Sequence, residues 1–251
     1  MQRRLFPVAV LLLFAAPFTV ADEKKPPAEL TDPVEVLKKM DAAIKAVESV
    51  AYDIEFEPTG DAVKFLPKGK GTVILSGWSE GRPKMFRVDT DAVMPQATAS
   101  TRLTAGADGE NYYLIDHANK KVYEDIDPGV MGKGGQVAFS AVMPEFVHPT
   151  PFEDEIEKSE KQTMKDAAKL GDHDCYVVFV EYKGGQRKSS WYISKQDFLP
   201  RRRVDHWDMP GTAVGDLRKT ITKLVIDPKL EPDAFKCKLP AGFEKIDDFA
   251  P

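Results

Sequence analysis

The residues that could carry chemistry in this chain are few. Its four histidines show no His-Glu-x-x-His or other metal-ligand spacing. Asp172-His173-Asp174-Cys175 offers ligands on paper, but Gly-Asp-His-Asp between two apolar runs is turn chemistry, expected for backbone reasons alone. In Asp205-His206-Trp207-Asp208, alternation along a strand sends the imidazole away from both neighbouring side chains. No Gly-x-Ser-x-Gly elbow occurs. The loop GKGGQ at 132–136 lacks the Lys-Ser/Thr ending of a phosphate-binding loop. No catalytic residue, metal site or cofactor is assigned. Sequence spacing does not locate paired acids, so a hydrolase built on two carboxylates of a concave face stays open.

Two cysteines, Cys175 and Cys237, raise a second question. In an oxidising compartment they could pair, closing a loop of about 60 residues for roughly 4 kcal/mol of chain-entropy stabilisation. The alternative is two buried free thiols, since sequence does not show whether their Cβ atoms meet. Arg201-Arg202-Arg203 lies on an expected strand, so its charges alternate between faces, and a solvated face is the expected role.

The compartment is legible at the N-terminus. Arg3 and Arg4 precede an apolar run from Leu5 to Phe18, and Thr19-Val20-Ala21 offers small residues before Asp22. That is the pattern of a signal peptide cleaved near Ala21, and the run is short for a membrane span. The expectation is an exported protein: residues 1–21 signal peptide, 22–30 a charged, Pro-rich flexible leader, 31–251 one domain. Losing Arg3 and Arg4 takes the net charge from −5 to −7. An acidic chain argues against nucleic acid, which needs a basic face.

Stepping outward to the elements, Asp32 is a good N-cap, Pro33 suits the first helical position, and Leu37, Met40, Ile44 and Val47 form one apolar stripe. The period then switches to two: Tyr52, Ile54 and Phe56 point one way, Asp53, Glu55 and Glu57 the other. Strands continue through 71–78 and 85–89, and residues 101–126 read as three strands turning at Asp108-Gly109 and His117-Ala118-Asn119. Residues 127–136 read as a loop and 136–146 as containing a short apolar helix. The last third returns to strands, separated by GDHD, KGGQ, DFLP and MPGTAVG. CYVVFV at 175–180 is apolar on both faces and reads as a central strand. PDAF suggests a helical turn and FKCKL at 235–239 a final strand. The fold class is therefore α+β, mainly β, with about ten antiparallel strands in one curved sheet and helices over its concave face.

The order of motifs adds to this. Gly71-x-Val73 is followed by R-P-x-x-F-R-V at 82–88 and a D-G-x-x-x-Y-x-x-D hairpin at 108–116. W-Y-I-S and L-P-R-R, then T-I-T-K-L-x-I-D-P at 220–228 and F-x-x-x-L-P-A-G-F at 235–243, close the chain. Together they resemble the LolA-like family of periplasmic lipoprotein carriers, across nearly all of residues 31–246. The resemblance implies an open half-barrel with helices as a lid over a hydrophobic cavity. It also implies a monomeric carrier or chaperone that binds the acyl chains of lipoproteins or a lipid. Arg82, Pro83 and Phe86 match an Arg-Pro-x-x-Phe segment in which the arginine holds lid carbonyls and the phenylalanine lines the lipid-accepting surface. Five guanidinium donors suit such a latch; the alternative is a solvated turn arginine and a core phenylalanine. This chain is longer than a minimal carrier, mainly in 128–170. The same fold serves stress-sensing regulators, so a sensor or adaptor binding an envelope protein is the alternative function.

Overall fold

A computed structural model describes residues 29–209, 213–231 and 233–246. The expected signal peptide, its cleavage point at Ala21 and leader residues 22–28 lie outside the described residues. Glu29 and Leu30, at the end of that leader, are in contact with the body: the Leu30 N–H donates to the Tyr176 hydroxyl and Glu29 pairs with Lys195.

The first helix, α1 (Pro33–Lys45), starts as its residues require. The Asp32 carboxylate accepts from the Val34 N–H, Pro33 opens the first turn, and Val36, Leu37, Met40 and Ile44 are buried. Two meanders follow. The first runs β1 (Ser49–Gly60), β2 (Lys68–Ser79), β3 (Arg82–Val93), β4 (Thr101–Asp108), β5 (Tyr112–Asp116) and β6 (Lys121–Asp125). The second runs β7 (Lys161–Leu170), β8 (His173–Glu181), β9 (Arg187–Ser194), β10 (Pro200–Met209) and β11 (Ala213–Ile226), and β12 (Glu244–Ile246) ends the described chain. All join one open sheet in the order β12-β6-β5-β4-β3-β2-β1-β11-β10-β9-β8-β7. β1 and β11 are the seam, paired from Val50 opposite Ile226 to Gly60 opposite Gly215 with a one-residue shift between Asp53 and Ile54. Twelve strands therefore stand where about ten were expected. β12 adds to β6 in parallel, the one departure from antiparallel order.

This strand order dictates the rest. β6 and β7 are consecutive in sequence yet ten strand positions apart, roughly 48 Å along the sheet at about 4.8 Å per strand. The connection, residues 126–160, must cross one whole face, and it does so as a strap. It contains a 3-10 turn (Pro128–Met131), α2 (Gly132–Ala138), two further 3-10 turns (Phe139–Ala141, Pro144–Phe146) and a π turn (Asp154–Lys158). The strap lies over β5, β4, β3, β2 and β1, and α1 packs against β7, β8 and the π turn. Strap and α1 together bury the sheet's inner face, where Tyr52, Ile54, Phe56, Val73, Leu75 and Val88 are at most 2% exposed.

Three sequence expectations are corrected. α2 begins at Gly132, inside the expected loop, because its apolar side packs on the sheet despite three glycines. FKCKL is irregular, and the last strand is Glu244–Ile246. CYVVFV lies in β8, next to the edge rather than central. Its outward Phe179 is covered by the Lys165 ammonium, 4.8 Å from the ring centroid, and by His206. A doubly apolar strand needs cover on both faces, and long polar side chains supply it here.

Candidate functional site

The inner face divides into two regions under one strap. Beneath α2 it is apolar. Phe86 of β3 packs on Phe139 of the strap at 5.3 Å between centroids and on Tyr112 of β5 at 6.3 Å. Beside them a cleft of about 580 Å³ opens between α2 and strands β4 to β6, lined by Leu103, Leu114, Tyr123, Val130 and Met131 with Asp116 and Lys133 at its polar margin. Gly134 lets the helix come this close: a Cβ there would stand 2.5 Å from Leu114 Cδ2. Gly132, Gly134 and Gly135 within seven residues give α2 little intrinsic helicity, about 1 kcal/mol lost per glycine relative to alanine. Packing holds it, reinforced by Thr90, whose buried hydroxyl donates to the Ala138 carbonyl.

Beneath strap residues 142–158 the face is aromatic and ionic. Tyr52 stacks on Phe146, and Phe152 meets Trp191 edge-on. The Met143 N–H donates to the Tyr52 hydroxyl. Lys219 of β11, 8% exposed, donates to the Val142 carbonyl at 2.7 Å. Directly opposite it in register stands Arg203 of β10, which donates to Glu145 of the strap at 2.6 Å and pairs with Asp205. The indole N–H of Trp191 donates to the same Glu145 oxygen, while the other, Oε2, is buried with no hydrogen-bond partner among the described residues. Glu155, also on the strap, accepts from the Tyr182 hydroxyl.

Burial shapes the ionisation of this cluster. It pushes Lys219 down to about 8, against the opposing pull of Glu145. Burial likewise works against the charge on Arg203, but Glu145 and Asp205 outweigh it and hold the guanidinium above its ordinary value. The Glu155 carboxyl is pushed up by burial. Adjacent like charges on neighbouring strands repel, so the Arg203–Lys219 pair is tolerable only because strap and sheet acids sit against it.

The sequence-derived site residues are only partly brought together here. Phe86 is buried against the strap, a position that suits a cavity wall and plain core alike. Pro83 opens β3 opposite Trp78. Arg82 is exposed at the start of β3, opposite Ser79, with no side-chain hydrogen bond among the described residues. The turn before it approaches the strap through backbone instead. Gly81, with φ +74°, faces Pro149 so closely that a Cβ would lie 2.3 Å from Pro149 Cα. Cations do hold strap groups, but they are Lys219 and Arg203.

The solvated role expected for Arg201-Arg202-Arg203 is also corrected. Arg201 is buried and paired with Asp197, and Arg203 points inward to Glu145. A register shift between Pro200 and Arg202 breaks the simple alternation on which that expectation rested. A signal for Glu145 was present in MPEF, a lone acid in an apolar run, but its partners lie on strands far away in sequence. Cys175 and Cys237 are free thiols. Cys175 is on β8 and Cys237 packs near Tyr113, Ile115 and Val122 of β5 and β6. Seven strands stand between β8 and β5, far beyond the roughly 7 Å Cα limit for a bridge.

One constellation was not foreseen. His206 meets Asp216 through Nδ1 at 2.7 Å and Ser190 through Nε2 at 2.9 Å, a serine–imidazole–carboxylate order spread across β9, β10 and β11. These are interior strands, with Ser190 paired to Phe179 on one side and Val204 on the other. Their amides serve the ladder, leaving no N–H there for a developing oxyanion. The trio joins three strands by polar side chains on the outer face.

No family model and no curated protein matches the chain. Several solved structures do. MucB superposes with a TM-score of 0.51 at 11% identity over 82% of this chain, which spans 63% of MucB. The lipoprotein LppX of Mycobacterium tuberculosis gives 0.48 at 9% identity, covering 80% of this chain and 98% of LppX. A LolA superfamily protein of Nitrosomonas europaea gives 0.35 at 9%, covering 83% and 99%. The likeness is one of fold. That fold is mainly β, one open sheet carrying few helices, as the LolA-like resemblance implied. No helix among the described residues is long and apolar enough to cross a membrane.

Proposed function

We propose that this protein is an exported carrier or chaperone that takes acyl chains of a lipoprotein or lipid beneath α2. The cleft between α2 and β4 to β6 carries this reading. Its volume of about 580 Å³ and its Leu103, Leu114, Tyr123, Val130 and Met131 lining are those of a small-ligand site. The glycine-bearing α2 beside it is the part of the strap with least intrinsic stability, and lifting it extends the cleft over Phe86 and Phe139. Each methylene buried contributes roughly 0.8 kcal/mol, against the cost of displacing the helix. No covalent chemistry is invoked.

A second reading, a module that binds an envelope protein partner, draws on the other half. There Tyr52, Phe146, Phe152 and Trp191 fill the face, each at most 2% exposed. MucB, of similar fold, has been solved with MucA from Pseudomonas aeruginosa. One experiment separates the readings: solvent extraction of purified protein, with mass spectrometry of the extract, beside the Met131→Glu variant. Acyl lipid in the parent and little in the variant is expected. A clean extract, also after acylated peptide is offered, would reject the carrier.

A further inference from the structure

We propose that the inner face takes an anionic amphiphile, its acyl chain in the apolar half and its carboxylate or phosphate head on Arg203 and Lys219. In the closed form Glu145 of the strap occupies the head's place. This builds on the carrier reading and names its ligand class.

The argument begins with the position of the two cations. Arg203 and Lys219 are cross-strand partners on the covered face, where a purely apolar cavity has no use for them. Their neutralising groups are unequally attached. Asp205 belongs to β10 and stays with the sheet, whereas Glu145 and the Val142 carbonyl belong to the strap. Lifting residues 142–147 removes both strap groups at once and leaves two cations facing one carboxylate. An uncharged ligand head would leave that imbalance under cover, at the cost of an unpaired buried charge. An anionic head restores it.

Glu145 also resembles a placeholder more than an optimal partner. One of its oxygens receives both Arg203 and Trp191 while the other is buried without a hydrogen bond. A carboxylate or phosphate not tied to a strap backbone can offer its oxygens to Arg203 and Lys219 separately, and guanidinium geometry favours such forked contact. The spacing suits a long amphiphile. From β4, which lines the cleft, to β11, which carries Lys219, is four strand positions, about 19 Å. Val88 and Val73 on the intervening strands keep the path apolar.

The test uses three probes sharing one oleoyl chain: mono-oleoylglycerol, oleate and oleoyl lysophosphatidylglycerol, titrated into the purified protein below their micelle concentrations. Either anion binding at least tenfold more tightly than mono-oleoylglycerol is expected, and the stronger anion tells a carboxylate from a phosphodiester head. Lys219→Met should lose most of that preference, read as the ratio of anion to mono-oleoylglycerol affinity within the variant. Glu145→Gln keeps the shape of the strap and removes the competing charge, so it should bind the anions several-fold more tightly than the parent. A merely structural Glu145 predicts no such gain. Equal affinities for all three probes would overturn the proposal and leave the carrier reading standing, as would weaker anion binding by Glu145→Gln. Failure of every probe to bind the parent protein would overturn both.

Discussion

The two halves of the inner face do opposite things with the same strap. Under α2 the contacts are apolar and nearly interchangeable: Phe86 on Phe139, Met131 over a cleft, and one hydroxyl, Thr90, on one carbonyl. Under residues 142–158 they are specific and expensive to break, with Lys219, Arg203 and Trp191 converging on Val142 and Glu145. Apolar packing is non-directional and lost gradually as a surface slides, whereas a buried ion pair is lost abruptly once a partner leaves. The strap is therefore held most firmly at its charged end, which opens last and needs an anion to replace Glu145, and yields first at its glycine-bearing end.

Removing one partner of the charged half has the largest expected effect. Glu145→Ala leaves Arg203 facing a cavity, and a stability loss of about 3–5 kcal/mol is expected in denaturant unfolding. A loss below about 1 kcal/mol would mean that Asp205 alone satisfies the guanidinium.

Lys219 gives the second effect. Its folded value of about 8 lies below the ordinary lysine value of 10.5, so between these the unfolded chain binds more protons than the folded one. The cost of burying its charge is present in full below pH 8 and is relieved as pH rises towards 10.5. Stability should gain up to roughly 3 kcal/mol across that window from this group, and Lys219→Met should remove the gain. An unchanged pH profile in the variant would mean that Lys219 is solvated.

Hydrogen exchange reads the comparison directly. Amides of 134–138 should exchange at least about tenfold faster than those of 143–147, because local opening is easiest where few directional contacts hold. The reverse order would put the firmer hold under α2. Smallest is Arg82→Leu, an exposed residue, for which a stability change within about 0.5 kcal/mol is expected. A larger loss would restore Arg82 as a latch.

Much of the scaffold was readable from local pattern. The Asp32-Pro33 start of α1, the alternation of Tyr52, Ile54 and Phe56, and the turns at Asp108-Gly109 and Gly171-Asp172 each follow from period and turn chemistry within a few residues. Phe86 was expected from a motif to line the lipid-accepting surface or to be plain core, and its burial on Phe139 fits both. Arg82, expected from the same motif to hold lid carbonyls, is exposed, and the backbone turn at Gly81 makes the close approach to Pro149. The charged half was not readable. Glu145 lies 58 residues from Arg203, and apart from its place in the apolar MPEF run no local rule marks it or its two cationic partners as buried.

By itself the sequence determined most of the strands, the first helix and their faces, because hydrophobic period and turn residues act over distances of a few residues. Only the tertiary structure decided that β6 and β7 lie ten strand positions apart, so that residues 126–160 must cross the sheet. That crossing brings Glu145 under cover against Arg203 and Lys219. Burial then decides what those charges do, since the same three side chains in water would contribute little.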